Sequence, residues 1–436
     1  MKTRRSVLAG LGTAGAVGVL AGCLSSVPGS GGLRTEEAWS QFQRSAAHTG
    51  SGGLDRTMPA EPTEKWRREY DRVSYQVGPI ATTDKLIEGR DGHTKAFTKA
   101  SGELVWDAGE TIVDRYSSIV GPVLAQQQVL FVGSSDRTSE YEAVSLAGAN
   151  GEVNWRMALP ELGAYPSALT VADGLLYLVY DDVDTDPQQL IAISIAEQAI
   201  VWTFEQSTFD NVDRPVSVAD GVAVYSGYQE YEATGSSPAA DDRPGGVGAV
   251  DITTGESLWR TRLGGVQGSV AIQDDVVYAC PDRGEDSPAA VQEGGPYRVI
   301  ALDLETGELR WRFKSRNAGA ANATLTPEHL YYPNGSDLWA IDPETGVAEW
   351  RTKIERFVEA TPAVAVGDIV LVGTLDFEGR GSSVIALDRQ SGAIRWERPT
   401  GEMRVDRIVS TDGAVFVQAA TSGSGGEDSE TVLGFW

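Results

Sequence analysis

The residues of this chain that could carry chemistry are few: three histidines, two cysteines and one dense acidic stretch. His48, His93 and His329 lie far apart in sequence, and none has a second His or Cys at the spacing of a zinc site. Asp182, Asp184 and Asp186 stand at the alternating offsets of a calcium-binding loop. Pro187 takes the sixth place, where such a loop needs glycine, and Ile193 the twelfth, where it needs glutamate. The stretch therefore reads as a solvated acidic loop. No Gly-x-Ser-x-Gly elbow, phosphate-cradling glycine loop or paired-carboxylate motif stands out. No catalytic, cofactor-binding or metal-binding residue is assigned.

The first cysteine has a different chemistry. Lys2, Arg4 and Arg5 precede an apolar, glycine-rich stretch that ends in Leu-Ala-Gly at Cys23. A basic start, a short apolar run and a small-residue cleavage site mark an export signal, too short to span a bilayer. The Arg4-Arg5 pair resembles a twin-arginine signal, the route for proteins exported already folded. The residues ending at Cys23 resemble a lipobox, which would acylate Cys23 after removal of residues 1–22. The Ser/Gly/Pro-rich stretch that follows reads as a flexible tether, giving a tether and lead-in region over residues 23–60. With Cys23 acylated, Cys280 has no disulfide partner within the chain.

Charge narrows the partners. The 436 residues include 62 acids against 36 basic residues, a formal net charge of −26. Such a surface repels nucleic acid, so DNA and RNA are excluded as partners. The acids are spread along the chain rather than gathered in one tail, the pattern of a halophile that keeps itself hydrated with carboxylates. An acidic, exported protein anchored to the outer face of the cytoplasmic membrane, of archaeal type, is the expectation.

The elements that must position any site come from a repeat. A phrase ending in tryptophan returns at Trp106, Trp155, Trp202, Trp259, Trp311, Trp350 and Trp396, and an isolated copy of its last strand sits at Trp66. The mean spacing is about 47 residues, within the range of propeller blades. Each unit reads as four strands. A tight turn, Asp173-Gly174, Asp220-Gly221 or Asp412-Gly413, joins the first two. In the phrase, Asp251, Asp303, Asp342 and Asp388 begin a turn whose N–H groups they can accept. A glycine follows for a positive-φ position, as at Gly255 and Gly346. A small residue precedes, as at Ala96, Ala143 and Ala249, where strands approach closely. The Trp can lie across the seam to the next sheet and donate its N–H to a carbonyl there. The Arg after the Trp, at Arg67, Arg156, Arg260, Arg312 and Arg351, should face solvent.

Seven complete units leave one outer strand near Trp66 and three inner strands at the C-terminus. Together they make an eighth blade. The expectation is an all-β, eight-bladed propeller over residues 61–436, with four-stranded antiparallel blades and one blade shared by both chain ends, which removes free sheet edges.

The phrase Ala-x-Asp-x-x-Thr-Gly-x-x-x-Trp at 249–259, 301–311 and 340–350 resembles the quinoprotein-type, pyrroloquinoline-quinone (PQQ)-like β-propeller repeat family. Trp39–Gly50 resembles the lead-in of its BamB-like lipoprotein branch. The resemblance implies one of two activities. Quinoprotein dehydrogenases hold PQQ and calcium on the propeller axis, and BamB-type lipoproteins are non-catalytic scaffolds for outer-membrane protein assembly. The adjacent-cysteine disulfide and Cys-x-x-Cys-His haem motif of the dehydrogenases are missing from this sequence. The expectation is therefore a monomeric, membrane-anchored extracytoplasmic propeller without cofactor, binding or scaffolding envelope proteins. A PQQ-dependent dehydrogenase and a sensor for a small extracellular ligand are the alternatives. Insertions concentrate between the second and third strands of the units, which emerge on one face of a propeller. Tyr228, Tyr231, Arg243 and Arg298 are the candidate binding residues there.

Overall fold

The expected strands form where short β-branched runs are punctuated by turns that only a few residues can make. At Asp173-Gly174, Asp220-Gly221 and Asp412-Gly413 both residues have positive φ, the twist that suits a two-residue hairpin. Asp274 and Asp275 adopt the same conformation without a glycine. In a computed structural model of the chain, the described residues are 33, 38–71, 78–90, 93–109, 116, 118–134, 141–159, 165–181, 188–206, 215–228, 245–263, 266, 268–281, 297–315, 322–354, 362–375, 381–401, 403–421 and 429–436.

These residues build eight four-stranded antiparallel blades, one of which gains a short fifth, parallel strand. In chain order, blades 1 to 7 span residues 80–107, 118–158, 165–206, 217–262, 271–314, 324–353 and 364–401. Blade 8 combines Arg404–Thr411, Ala414–Thr421 and Ser429–Phe435 with Glu64–Tyr70 from the other end of the chain. The register of that joint pairs Trp66 with Gly434 and Tyr70 with Glu430. The first strands of successive blades touch one another in series, and those of blades 7, 8 and 1 complete the circle. The ring is closed, with its eighth sheet shared by head and tail.

The core lies between the sheets. Second and third strands are almost wholly buried, as in Leu330–Asn334 and Ile369–Gly373. Outer strands alternate, as in Ala348–Lys353, because one face meets the next blade and the other meets solvent. Arg67, Arg156, Arg260, Arg312 and Arg351 are exposed, as expected of residues one step out of phase with the tryptophans.

The closing seam carries charge as well as apolar contact. Glu430 is fully buried on blade 8 and pairs with Arg90 of blade 1. Arg68 meets Glu88 at 2.5 Å, and the Tyr70 hydroxyl donates to the same carboxylate at 2.6 Å. Gln418 Nε2 donates to Glu430 at 2.8 Å. The buried charges are thus paired and hydrogen-bonded, which such groups require.

One boundary expected from sequence moves. Residues 39–52 are built into the ring instead of preceding it. Trp39 exchanges backbone hydrogen bonds with Ala81 of blade 1, and the Ser40 carbonyl accepts from Leu124 of blade 2. Gln41 is bonded through its side chain to the Val171 backbone of blade 3. Carbonyls of Ala46, Ala47, Thr49 and Gly50 then accept from Val218, Ile272, Leu325 and Ala365 of blades 4 to 7 in turn. Ser51–Gly52 finishes as a parallel strand beside Val364–Val366. Polar, small residues allow this: the segment lies against inner strands whose N–H groups would otherwise be unpaired.

Candidate functional site

Two places in this ring have the geometry to do more than support it: the seams between blades and the axis. The seams are built from the repeated phrase. Asp251 Oδ1 accepts from the N–H groups of Thr253 and Thr254, both at 2.8 Å, and Asp342 accepts from Glu344 and Thr345 at 2.9 and 2.7 Å. These bonds hold the carboxyls of Asp251 and Asp342 below the usual range. Asp303 and Asp388 sit lower, at about 2, because Arg310 and Arg395 add charged hydrogen bonds to those of the turn.

The glycine of each such turn lies under the indole of the preceding blade. A Cβ on Gly255, Gly307, Gly346 or Gly392 would approach the ring of Trp202, Trp259, Trp311 or Trp350 to 2.5–2.7 Å. Gly102 and Gly151 stand in the same relation to Trp66 and Trp106. Six indoles donate across the seam. Trp66, Trp106, Trp202, Trp259, Trp311 and Trp350 bond the carbonyls of Lys99, Gly148, Ile252, Leu304, Pro343 and Arg389 at 2.8–3.3 Å. Trp396 packs on the core of the shared blade, which has no such turn, and its buried Nε1 finds no partner among the described residues.

Trp155 departs from the pattern. Its Nε1 turns back to Gln128 Oε1 of its own blade at 3.3 Å. The opposing turn, in blade 3, has Gln198 where the others have glycine, still at positive φ (53°). The residue paired with Trp155 is Ser145, whereas Trp106, Trp202, Trp259, Trp311, Trp350 and Trp396 pair with alanine. The expected alanine, Ala143, faces Met157 instead, two residues farther from the turn, which is the same length as in the other blades. The residue type carried that signal: ten residues before the Trp stands an alanine in six units and Ser145 in this one. A cleft of about 630 Å³ opens between these two turns.

On the axis the lead-in segment fills the ring of first strands. His48 is fully buried there, 5.3 Å edge-on to Phe42, and burial lowers its pKa to about 3. His48 Nδ1 lies 2.7 Å from Ser217 Oγ, a distance that suits a nucleophile and its base. The Ser217 hydroxyl, however, donates to the Val270 carbonyl at 2.5 Å, so the imidazole is the donor and the serine is not activated. A cavity of about 40 Å³ remains beside Phe42 and Gln43, against the first strands of blades 7 and 8.

The residues expected on the loop face fare unevenly. Arg298 is a correction: it is on the strand Tyr297–Asp303, where the register shifts between Tyr297 and Val299, and its side chain is 7% exposed. Tyr228 ends the strand Val222–Tyr228 opposite Gly245. Tyr231, Arg243, Cys23, Arg4, Arg5 and the acidic loop at 182–186 lie outside the described residues. His93 and His329 are apart, bonded to Asp107 and Glu349 respectively. Cys280 is buried, which pushes its thiol up to about 12. Among the described residues no three His, Cys, Asp or Glu side chains could hold a metal ion.

The family described as outer membrane protein assembly factor BamB matches residues 90–242 and 243–432. The chain belongs to this family of PQQ-like propellers. It is 24% identical over 343 residues to a BamB of Yersinia pestis, covering 73% of this chain and 77% of that protein. It is 28% identical over 192 residues to the serine/threonine-protein kinase AfsK of Streptomyces griseus, 41% of this chain and 22% of the kinase. Among solved structures, BamB from Moraxella catarrhalis superimposes with a TM-score of 0.56 at 16% identity, covering 86% of this chain and 97% of that one. Quinohemoprotein alcohol dehydrogenase from Comamonas testosteroni gives 0.64 at 12% identity, covering 92% and 80%. Both likenesses establish the fold.

Proposed function

We propose that this chain is a non-catalytic extracytoplasmic propeller, held to the outer face of the cytoplasmic membrane through lipid on Cys23, that binds or scaffolds proteins of the cell envelope. The observation that carries this reading is the filled axis. Residues 39–50 contact the first strands of seven blades in order. The relatives named as assembly factors for outer-membrane proteins support the same direction. A dehydrogenase needs room for a tricyclic quinone beside calcium, and ligand pockets run to about 300–1,000 Å³. The described axial residues do not fit that group: the cavity there is about 40 Å³, and no described cluster of acids offers a cation site.

The test uses the full chain in its native membrane at native salt. Photo-crosslinkers at Tyr231 and Arg243 should trap a discrete set of envelope proteins, and Cys23→Ser should release the protein from the membrane. Reconstitution with PQQ and calcium should give no dye-linked oxidation of alcohols or sugars. Quinone-dependent turnover would overturn the reading.

A further inference from the structure

The cleft beside Trp155 has a wall unlike the rest of this molecule. In a chain with 22% charged residues, none of the residues lining it is charged. Its polar groups are primary amides, from Gln127, Gln128, Asn154 and Gln198, and its one aromatic surface is the half-buried indole of Trp155. Small residues, Ala147, Gly148 and Ala196 among them, complete the wall. Part of the amide capacity is spent on order. Gln127 exchanges two hydrogen bonds with the backbone of Leu33. Gln128 Oε1 accepts from Ser145 Oγ and from the indole, and Asn154 Nδ2 donates to Ser145 Oγ. Gln128 Nε2, Asn154 Oδ1 and both ends of the Gln198 amide make no hydrogen bond to the described residues.

That wall selects by chemistry. A phosphate or carboxylate meets no cation, and an ammonium meets no carboxylate. A purely apolar ligand would strand the free groups of three amides, Gln128, Asn154 and Gln198. Amides donate and accept side by side, which matches hydroxyl groups that also do both. The indole supplies a flat apolar face, which suits the C–H face of a sugar ring. The volume of about 630 Å³ is that of a site for a small ligand.

We infer that the seam between blades 2 and 3 is a binding site for a neutral saccharide, with Trp155 as stacking platform and Gln128, Asn154 and Gln198 as hydroxyl partners. The site exists because Gln198 occupies the place where six other turns have a glycine beneath an indole, so this indole is left beside an open cleft.

The experiment titrates the full chain with maltotriose, cellotriose and chitotriose triacetate, with trigalacturonate as the charged control. Calorimetry measures affinity, and the indole ¹H–¹⁵N signal of Trp155, assigned by its loss in Trp155→Phe, reports the location. At least one neutral trisaccharide should bind saturably and shift that signal, and trigalacturonate should not. Trp155→Ala should weaken binding at least about tenfold. Gln198→Gly, at an exposed position that tolerates the change, should do the same by letting the indole lie flat and close the seam. No saturable binding by any neutral trisaccharide up to about 10 mM, or binding that both variants retain, would overturn the assignment.

Discussion

The seam between blades 5 and 6 and the seam between blades 2 and 3 are made from the same phrase and end differently. In the first, Trp311 Nε1 and the Tyr278 hydroxyl converge on the Pro343 carbonyl at 2.9 and 3.1 Å, over Gly346. In the second, Trp155 bonds within its own blade and faces Gln198. Both turns keep positive φ, 71° at Gly346 and 53° at Gln198. The glycine is therefore needed less for the turn than for the space under the ring, because a Cβ on Gly346 would stand 2.5 Å from Trp311. The difference teaches that a propeller seam is set by close approach between an indole and a backbone, and that one added side chain converts a joint into a cleft.

The largest effect expected from this comparison is in the indoles. Trp259→Ala removes a ring that is 9% exposed and bonded to the Leu304 carbonyl at 2.8 Å, and should cost about 3–5 kcal/mol in chemical denaturation. Trp155→Ala should cost less than half of that; an equal cost would erase the distinction between the seams. The closing seam should stand with the docked ones. Glu430→Ala leaves Arg90 without its buried carboxylate and should cost about 3 kcal/mol, with blades 8 and 1 losing amide protection first in hydrogen exchange.

Next comes the glycine itself. Gly346→Ala combines positive φ with a clash against Trp311 and should destabilise by about 2–3 kcal/mol. Gln198→Gly works in the opposite direction, relieving a left-handed non-glycine residue. It should raise stability by up to about 1 kcal/mol, seen as a higher Tm.

The smallest effect is in pH. Asp303 and Asp388 titrate at about 2 in the folded chain against an ordinary value of 3.8. Their folded values are depressed, so they stabilise the fold above about pH 4, and that contribution fades as pH falls toward 2. Their carboxyls are partly exposed, so each should supply only a few tenths of a kcal/mol. Asp303→Asn with Asp388→Asn should flatten the loss of stability between pH 4 and 2. The blade 3 turn has Ser194 in place of the acid, bonded to the Glu197 N–H at 3.1 Å, and should show no such dependence.

Particular residues show how far sequence reading carries here. Asp251, Asp303, Asp342 and Asp388 were legible because their turn bonds are local, within three residues of the carboxyl. The shared blade was legible from Trp66 and the unfinished C-terminal unit, since a closed ring requires the missing strand. Arg298 was misplaced because a register shift next to a long insertion has no periodic signature. The route of residues 39–52 was illegible, for its hydrogen-bond partners are spread over seven blades. The cleft was half legible. Gln198 visibly breaks the phrase, but only the pairing of Trp155 with Ser145 shows what the break releases.

By itself the sequence determined the number of blades, the shared closing sheet and the turns, because each depends on a local period or on the arithmetic of strands left over. Only the tertiary structure decided which seam stays open, how the axis is filled and which charges are buried at the closure. Those outcomes depend on distances between residues remote in the chain, where one Cβ under an indole or one carboxylate beside a guanidinium decides whether neighbouring sheets meet.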